Sequence, residues 1–438
     1  MSVRGFTAGV AAAALLFGAT TANAAVEIQW WHAMGGELGK KLEKIANDFN
    51  AGQSEYKVLP VYKGTYPETL TAAIAAFRAK QQPHIVQVFE VGTGTMMAAK
   101  GAVYPIYQLM KDANEPFDPK AYLPAVTGYY SDTQGNMLSF PFNSSTPILY
   151  YNKDAYKKAG LDPEAPPKTW EEVAAHAKKL RDSGMACGFT TTWPSWINIE
   201  NFSALHNIPI GTKENGLGGM DARLTIANDL TTRHVANLAE WQKTKVYDYG
   251  GRGNAALPKF ISGECGILME SSGGRANVLA NAKFEPGFGM LPVYQDVKGA
   301  PQNSIIGGAS LWVLRGKPDA DYKGVAKFFA YLSKPEVQAW WHQNTGYLPI
   351  TTAAYELSEK EGYYAKNPGA DVSIKQMRLN PPTANSKGLR FGNFVQIRDV
   401  IDEGIEAAVS GRTPAKEALE AAQSRGNQLL DSFQKQNM

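Results

Sequence analysis

The side chains of this 438-residue chain that could do covalent chemistry do not fall into the spacings such chemistry needs. There is no Gly-x-Ser-x-Gly elbow, no Gly-x-x-x-x-Gly-Lys-Ser/Thr phosphate loop, and no Gly-x-Gly-x-x-Gly after a strand. Gly92-Thr93-Gly94 follows an apolar run ending at Glu90, but the third glycine is missing. Ser144 and Ser145 have no base nearby in sequence. The six histidines are scattered and no Cys/His spacing suits zinc, so neither metal nor cofactor is expected. Nothing singles out a carboxylate pair for glycoside hydrolysis. What remains points to binding. In Trp193-Pro194-Ser195-Trp196 two rings flank a proline in an exposed loop, a wall for a sugar face or a quaternary ammonium. The same rings could instead pack a lobe interior.

The elements that must position such residues follow an N-terminal leader. Arg4, the apolar run Phe6–Phe17 and Ala22-Asn23-Ala24 read as a Sec signal peptide over residues 1–24, cut before Ala25, which implies the periplasm. No cysteine stands at the cleavage site, so no lipid anchor is expected. The rest is long enough for two domains. The formal charge of +3 becomes +2 without Arg4, and Lys and Glu are interleaved, so nucleic acid is not an expected partner.

Strands at Val26–Trp31, Tyr56–Val61 and His84–Phe89 alternate with helices at Glu37–Phe49 and Tyr66–Ala79, the grammar of a mainly parallel sheet. The pattern resumes with strand Ile148–Asn152. A helix starts at Thr169 and Glu172, a capping-box pattern, and stops at Gly184. Helix Val235–Lys245 follows, and Ser304–Leu314 is an apolar strand. Thr413-Pro414 opens a terminal helix reaching Phe433. Cys187 and Cys265 each open an apolar run after a glycine. They pair if those strands are neighbours; otherwise they are two buried thiols.

The run Phe328–Tyr355 reads as a helix, a Ser-Lys-Pro-Glu break, a second helix and a Thr-Gly-Tyr-Leu-Pro turn. This layout resembles the carbohydrate-type extracytoplasmic solute-binding proteins of ABC importers. Six blocks are similar, more narrowly, to the glycerol-3-phosphate and glycerophosphodiester binding proteins of the Ugp-type importer: Tyr62–Tyr66, Glu90–Thr93, Pro141–Tyr151, Pro301–Val313, Thr345–Thr351 and Gly388–Arg398. The resemblance implies an α/β, two-lobe, maltose-binding-protein-like (type II) periplasmic binding fold. Its discontinuous lobes are residues 25–143 with 308–347, and residues 144–307 with 348–438. They are joined by crossings near Phe142–Pro147, Asn303–Gly308 and Tyr347–Thr351.

The resemblance also implies a ligand set of Tyr66, Glu90, Ser145, Trp193, Ser271, Gly308, Tyr347 and Arg398. On this reading Arg398, the serines, Tyr347 and the Gly308 amide take the phosphate, and Glu90 stands apart from it to accept glycerol hydroxyls. A choline group then meets Trp193, with Trp196 and His32 as further candidates. The bland alternatives are an ion pair of Arg398 with Asp399 or Asp402, a capping or Lys-paired Glu90, serines that satisfy turns, and a Tyr347 that packs the hinge. The expected protein is a monomeric, non-enzymatic carrier that docks on inner-membrane permease subunits with a cytoplasmic ATPase. An oligosaccharide carrier on the same fold is the first alternative, and a secreted glycerophosphodiester hydrolase the second.

Overall fold

The computed structural model describes residue 1, residues 24–99 and residues 101–437. Apart from Met1 and Ala24, the leader lies outside the described residues. Among the described residues ten strands form two sheets. The first holds β1 (Val26–His32), β2 (Tyr56–Tyr62), β3 (Ile85–Phe89), β4 (Val103–Tyr104), β5 (Phe140–Ser145) and β10 (Gly307–Leu314). The second is ordered β7 (Cys187–Thr191), β8 (Cys265–Ser271), β6 (Pro147–Asn152), β9 (Pro286–Gly289). This is the two-lobed, maltose-binding-protein-like α/β fold that the resemblance implied.

Sequence and element agree where periodicity is strong. In β1 the alternate residues Ile28, Trp30 and His32 turn inward, as a pleated strand with one covered face requires. In β3 all five residues are buried, because the strand is central and covered on both faces. The helix Tyr66–Arg78 starts at a full capping box between Thr65 and Glu68, which the sequence reading did not single out. At Thr169 the box is only half formed: its hydroxyl accepts the Glu172 N–H, but the Glu172 carboxylate turns to the Lys168 N–H.

The expectation of mainly parallel sheets is corrected. The β1–β2, β1–β3 and β7–β8 pairs are parallel. In contrast, β10 runs antiparallel to β3, β4 and β5, and β6 antiparallel to β8 and β9. The reason is topological. The chain leaves the first sheet at Thr146 and returns through β10 from the other side, so the returning strand is reversed.

The links between the sheets are laced together. The Thr146 hydroxyl donates to Ser304 Oγ at 2.7 Å, and the Leu348 N–H donates to the Ser144 carbonyl at 2.7 Å. Helices Asp319–Leu332 and Pro335–Thr345 confirm the broken-helix reading. Gly346 ends the second at φ 96°, and a Cβ there would stand 2.3 Å from the Ser272 carbonyl oxygen, so glycine is required.

Cys187 lies opposite Cys265 in the parallel β7–β8 register, and the two form a disulfide with Cα atoms 4.6 Å apart. The bond closes a span of 78 residues, for which chain entropy gives at most about 4–5 kcal/mol. Cys187→Ser is therefore expected to lower the unfolding free energy by about 2–4 kcal/mol in chemical denaturation. An unchanged midpoint would show that the bond does not constrain the unfolded chain.

Candidate ligand-binding site

A cavity of about 360 Å³ opens where the two sheets meet. All eight residues of the expected ligand set line it, and so does Trp196. His32 does not. It is buried, its Nδ1 accepts the Met34 N–H, and burial lowers its pKa to about 4, so it is a neutral packing residue. Trp30, Trp31 and Trp340 also lie away from the cavity lining.

Tyr66 is the first residue of its helix, so the Thr65 cap fixes its direction. Its ring stacks on Phe89 at 5.2 Å, and its hydroxyl accepts from Asn143 Nδ2 at 2.9 Å. Asn143 in turn accepts from Gln87, whose Oε1 accepts the Ala33 N–H. This buried polar chain runs through the centre of the first sheet to hold one ring in the cavity. Burial pushes the Tyr66 hydroxyl well above its usual pKa, so it stays a neutral donor.

Arg398 departs from the expected arrangement. Its side chain, 9% exposed, donates from Nε and Nη2 to the two oxygens of Glu200, both at 2.7 Å, and from Nη2 to Glu90 Oε1 at 2.6 Å. Glu90 and Arg398 are thus one cluster, and the expected separation of the acid from the guanidinium is overturned. The pairing with Asp399 or Asp402 is overturned too. Asp399 lies near Arg252, and Asp402 accepts the Ser195 N–H at 3.0 Å. Burial opposes the Arg398 charge, but the Glu200 and Glu90 carboxylates outweigh it and hold its pKa above the usual value. Burial raises the pKa of Glu90, with Arg398 pulling against it. Two carboxylates against one guanidinium leave the cluster negative when all are ionised. That suits hydroxyl donors better than an anion.

Uncharged donors gather elsewhere on the wall. Ser145 closes β5 opposite Gly307, and Gly308 follows at φ 90°. A Cβ at Gly308 would fall 1.8 Å from the Asn143 carbonyl oxygen, so only glycine lets the strands close here. The Ser271 hydroxyl oxygen accepts the Gly273 N–H at 3.1 Å, which leaves its proton to donate elsewhere. Tyr347 stacks on Trp341 at 5.8 Å and packs over Gly273. Burial pushes its hydroxyl up to about 12.

The tryptophan pair differs from the expected exposed loop. Trp196 opens a π-helical turn, Trp196–Asn201, and is buried beneath Gly307, where a Cβ would stand 2.3 Å from its ring. Trp193 is half-buried, with φ 43°, a costly conformation for a bulky residue, held by its N–H to the Gly253 carbonyl at 2.6 Å. Its ring lies 6.4 Å from that of Tyr66. Sequence reading missed Glu200 and Glu270. Glu200 sits in the mixed stretch Trp196–Phe202, between Ile199 and Asn201, and carries no motif. Glu270 ends an apolar strand as Glu90 does, so the signal that selected Glu90 was present at Glu270 as well.

On the cavity wall the Thr65 hydroxyl donates to Glu68 Oε2 at 2.9 Å as part of the helix cap. Among the described residues no group of three or more His, Cys, Asp or Glu side chains is arranged to hold a metal ion. The arrangement can hold a polar ligand with an anionic part and hydroxyl groups.

Comparison with known proteins points the same way. The sequence pattern of the bacterial extracellular solute-binding protein family matches residues 44–371. The sn-glycerol-3-phosphate-binding periplasmic protein UgpB of Yersinia pseudotuberculosis is 53% identical over 417 residues, covering 95% of each chain. Among solved structures, UgpB from Mycobacterium tuberculosis in complex with glycerophosphocholine superposes with a TM-score of 0.77 at 21% identity, covering 93% of this chain and 98% of that one. The GacH receptor of Streptomyces glaucescens also gives 0.77, at 18% identity, covering 93% and 99%. At these identities the two structures speak to the fold alone.

Removing one member of a buried charge cluster strands the others. Glu200→Ala is expected to cost about 3–5 kcal/mol in urea unfolding. Asp399→Ala, whose side chain is 61% exposed, is expected to change stability by less than about 0.5 kcal/mol. Equal effects would contradict the assigned pairing.

Proposed function

The chain belongs to the bacterial extracellular solute-binding protein family and serves as the substrate-binding component of an ABC importer, and we propose that its ligands are sn-glycerol 3-phosphate and glycerophosphodiesters such as glycerophosphocholine. The observation that carries this reading is the division of the cavity wall. One part is Arg398 with Glu90, backed by Glu200 behind the wall, and the other is a set of neutral donors: Ser145, Ser271, Tyr347 and the Gly308 amide. Glycerol hydroxyls donate to Glu90 and accept from Arg398. The phosphate lies against the neutral donors, away from the carboxylates. The substituent of a diester leaves between Trp193 and Trp196, whose faces attract a quaternary ammonium. The direction of the ligand is thus the reverse of a phosphate-on-Arg398 arrangement.

Capture follows from lobe closure. With lobes of residues 25–143 and 308–347, and of 144–307 and 348–438, Glu90 lies on one body and Arg398 and Glu200 on the other. A ligand touching both bodies stabilises the closed state by its differential affinity for it. Micromolar capture needs a net of about −8 kcal/mol. A few hydrogen bonds to a charged phosphate, at about 1.5–3 kcal/mol each, reach that after closure costs. The carrier works in the periplasm as a monomer and hands ligand to permease subunits without chemical change.

Calorimetric titration with glycerol 3-phosphate, glycerophosphocholine and maltose tests the assignment. Both phosphates are expected to bind, maltose is not, and no free choline is released on prolonged incubation. Tyr347→Phe is expected to weaken phosphate binding roughly 10- to 100-fold. Maltose binding with Tyr347→Phe silent sinks the phosphate reading in favour of an oligosaccharide carrier, and choline release sinks the carrier reading in favour of a hydrolase.

A further inference from the structure

Glu270 is a second carboxyl in the cavity, and the ligand set does not account for it. It stands at the end of β8, lines the cavity, and is 3% exposed. Oε1 accepts the N–H of Ser271 at 2.6 Å, whereas Oε2 is buried and has no hydrogen-bond partner of good geometry among the described residues. The side chain is held by the turn that follows: a Cβ at Gly274 would stand 2.8 Å from Glu270 Cγ.

The groups around it supply no counter-charge. From β6, Tyr150 gives its hydroxyl to the Ser271 carbonyl. After β7, the Thr192 and Trp193 side chains are hydrogen-bond donors facing the carboxyl, and they favour its ionised form. After β8, Arg275 turns its guanidinium over the Phe288 ring at 4.7 Å. The Tyr347 hydroxyl is near enough to feel the charge of Glu270. No Lys, Arg or His forms an ion pair with Glu270 among the described residues. A buried carboxylate with no cation is costly, and a carboxylic acid with a free Oε2–H is not. The acid would sit beside Ser271 and Tyr347, two of the phosphate donors.

We propose, resting on the glycerophosphate reading above, that Glu270 contacts the ligand as a neutral acid, donating its Oε2 proton to a phosphate oxygen, so that ligand capture and proton uptake are coupled. No covalent bond changes; the proton stays on Glu270 and is shared in a hydrogen bond. Burial already pushes the Glu270 carboxyl up to about 7, with Thr192, Ser271 and Trp193 offsetting only part of that push. A bound phosphate raises it further, since the anion disfavours the carboxylate. The sign follows: binding takes up protons, and affinity falls as pH rises through about 7. Tyr150 and Tyr347 stay neutral across that range because burial raises both. His342, beside Tyr347, is lowered by burial to about 4 and stays neutral too. Asp402, also raised to about 7, serves the Ser195 N–H and does not line the cavity.

The test is calorimetric titration of the full-length mature protein with glycerophosphocholine between about pH 6 and about pH 8.5, in two buffers of different ionisation enthalpy. The diester phosphate does not titrate there, so protons exchanged belong to the protein. Above the free-state pKa the dissociation constant is expected to rise by up to about tenfold per pH unit, with up to about one proton taken up per ligand. Glu270→Gln is expected to bind with the low-pH affinity of the unaltered protein at every pH, without proton uptake. Three results overturn the proposal: a flat profile without uptake in the unaltered protein, the same pH profile in Glu270→Gln, or binding that tightens with pH and whose loss in Glu270→Gln is confined to choline-bearing ligand. The last would mean that a carboxylate meets the ammonium. If neither glycerophosphocholine nor glycerol 3-phosphate binds at any pH, the ligand reading itself fails, and the role of Glu270 with it.

Discussion

The guanidinium of Arg398 lies buried between two carboxylates that come from distant parts of the chain, and the rest of the site is arranged around that fact. Glu200 is 198 residues away and Glu90 is 308 away. Burying three charges is tolerable only if each is paired with good geometry. The helix Phe394–Val409, the turn after β3 and the π-helical turn Trp196–Asn201 must therefore all arrive in register. The same helix supplies Asp402, one turn after Arg398, which takes the Ser195 N–H and so steadies the segment bearing Trp193 and Trp196. The aromatic wall and the charged cluster are set by one element. The pairing also decides what Arg398 is free to do. A guanidinium whose Nε and Nη2 are already held by carboxylates is a poor site for an anion and a good one for a hydroxyl.

The neutral donors depend on a different constraint, the close approach of β5 and β10 where the chain passes between the sheets. Gly308 permits that approach, and Asn143, the residue that a side chain at Gly308 would strike, also orients Tyr66. Backbone and side-chain positioning are thus coupled at one crossing. On the proposed reading, anion recognition uses hydroxyls and amides without a dedicated cation, so selectivity rests on geometry and on the protonation of the surroundings.

Much of the fold was legible in the sequence. The alternation of β1 to β3 with their helices and the break at Pro335 were readable because local periodicity and backbone chemistry dictate them. The neighbourhood of Cys187 and Cys265 was an open possibility that the β7–β8 register turned into a bond. Strand direction was less legible: whether β10 pairs parallel or antiparallel depends on where the chain re-enters the sheet, which no local pattern records. The positions around the cavity came through resemblance, but their partners did not. Glu200 carries no local signal until Arg398 arrives from the C-terminal region, and Trp196 reads as a loop residue until the π-helical turn buries it. Interactions between residues hundreds of positions apart leave little trace in any short window.

The most direct measurement is a crystal structure of the mature protein with glycerophosphocholine bound. The account predicts the phosphorus against Ser145, Ser271, Tyr347 and the Gly308 amide, with the glycerol hydroxyls on Glu90 and Arg398. A phosphate seated on the Arg398 guanidinium, with Glu90 turned away, would contradict it.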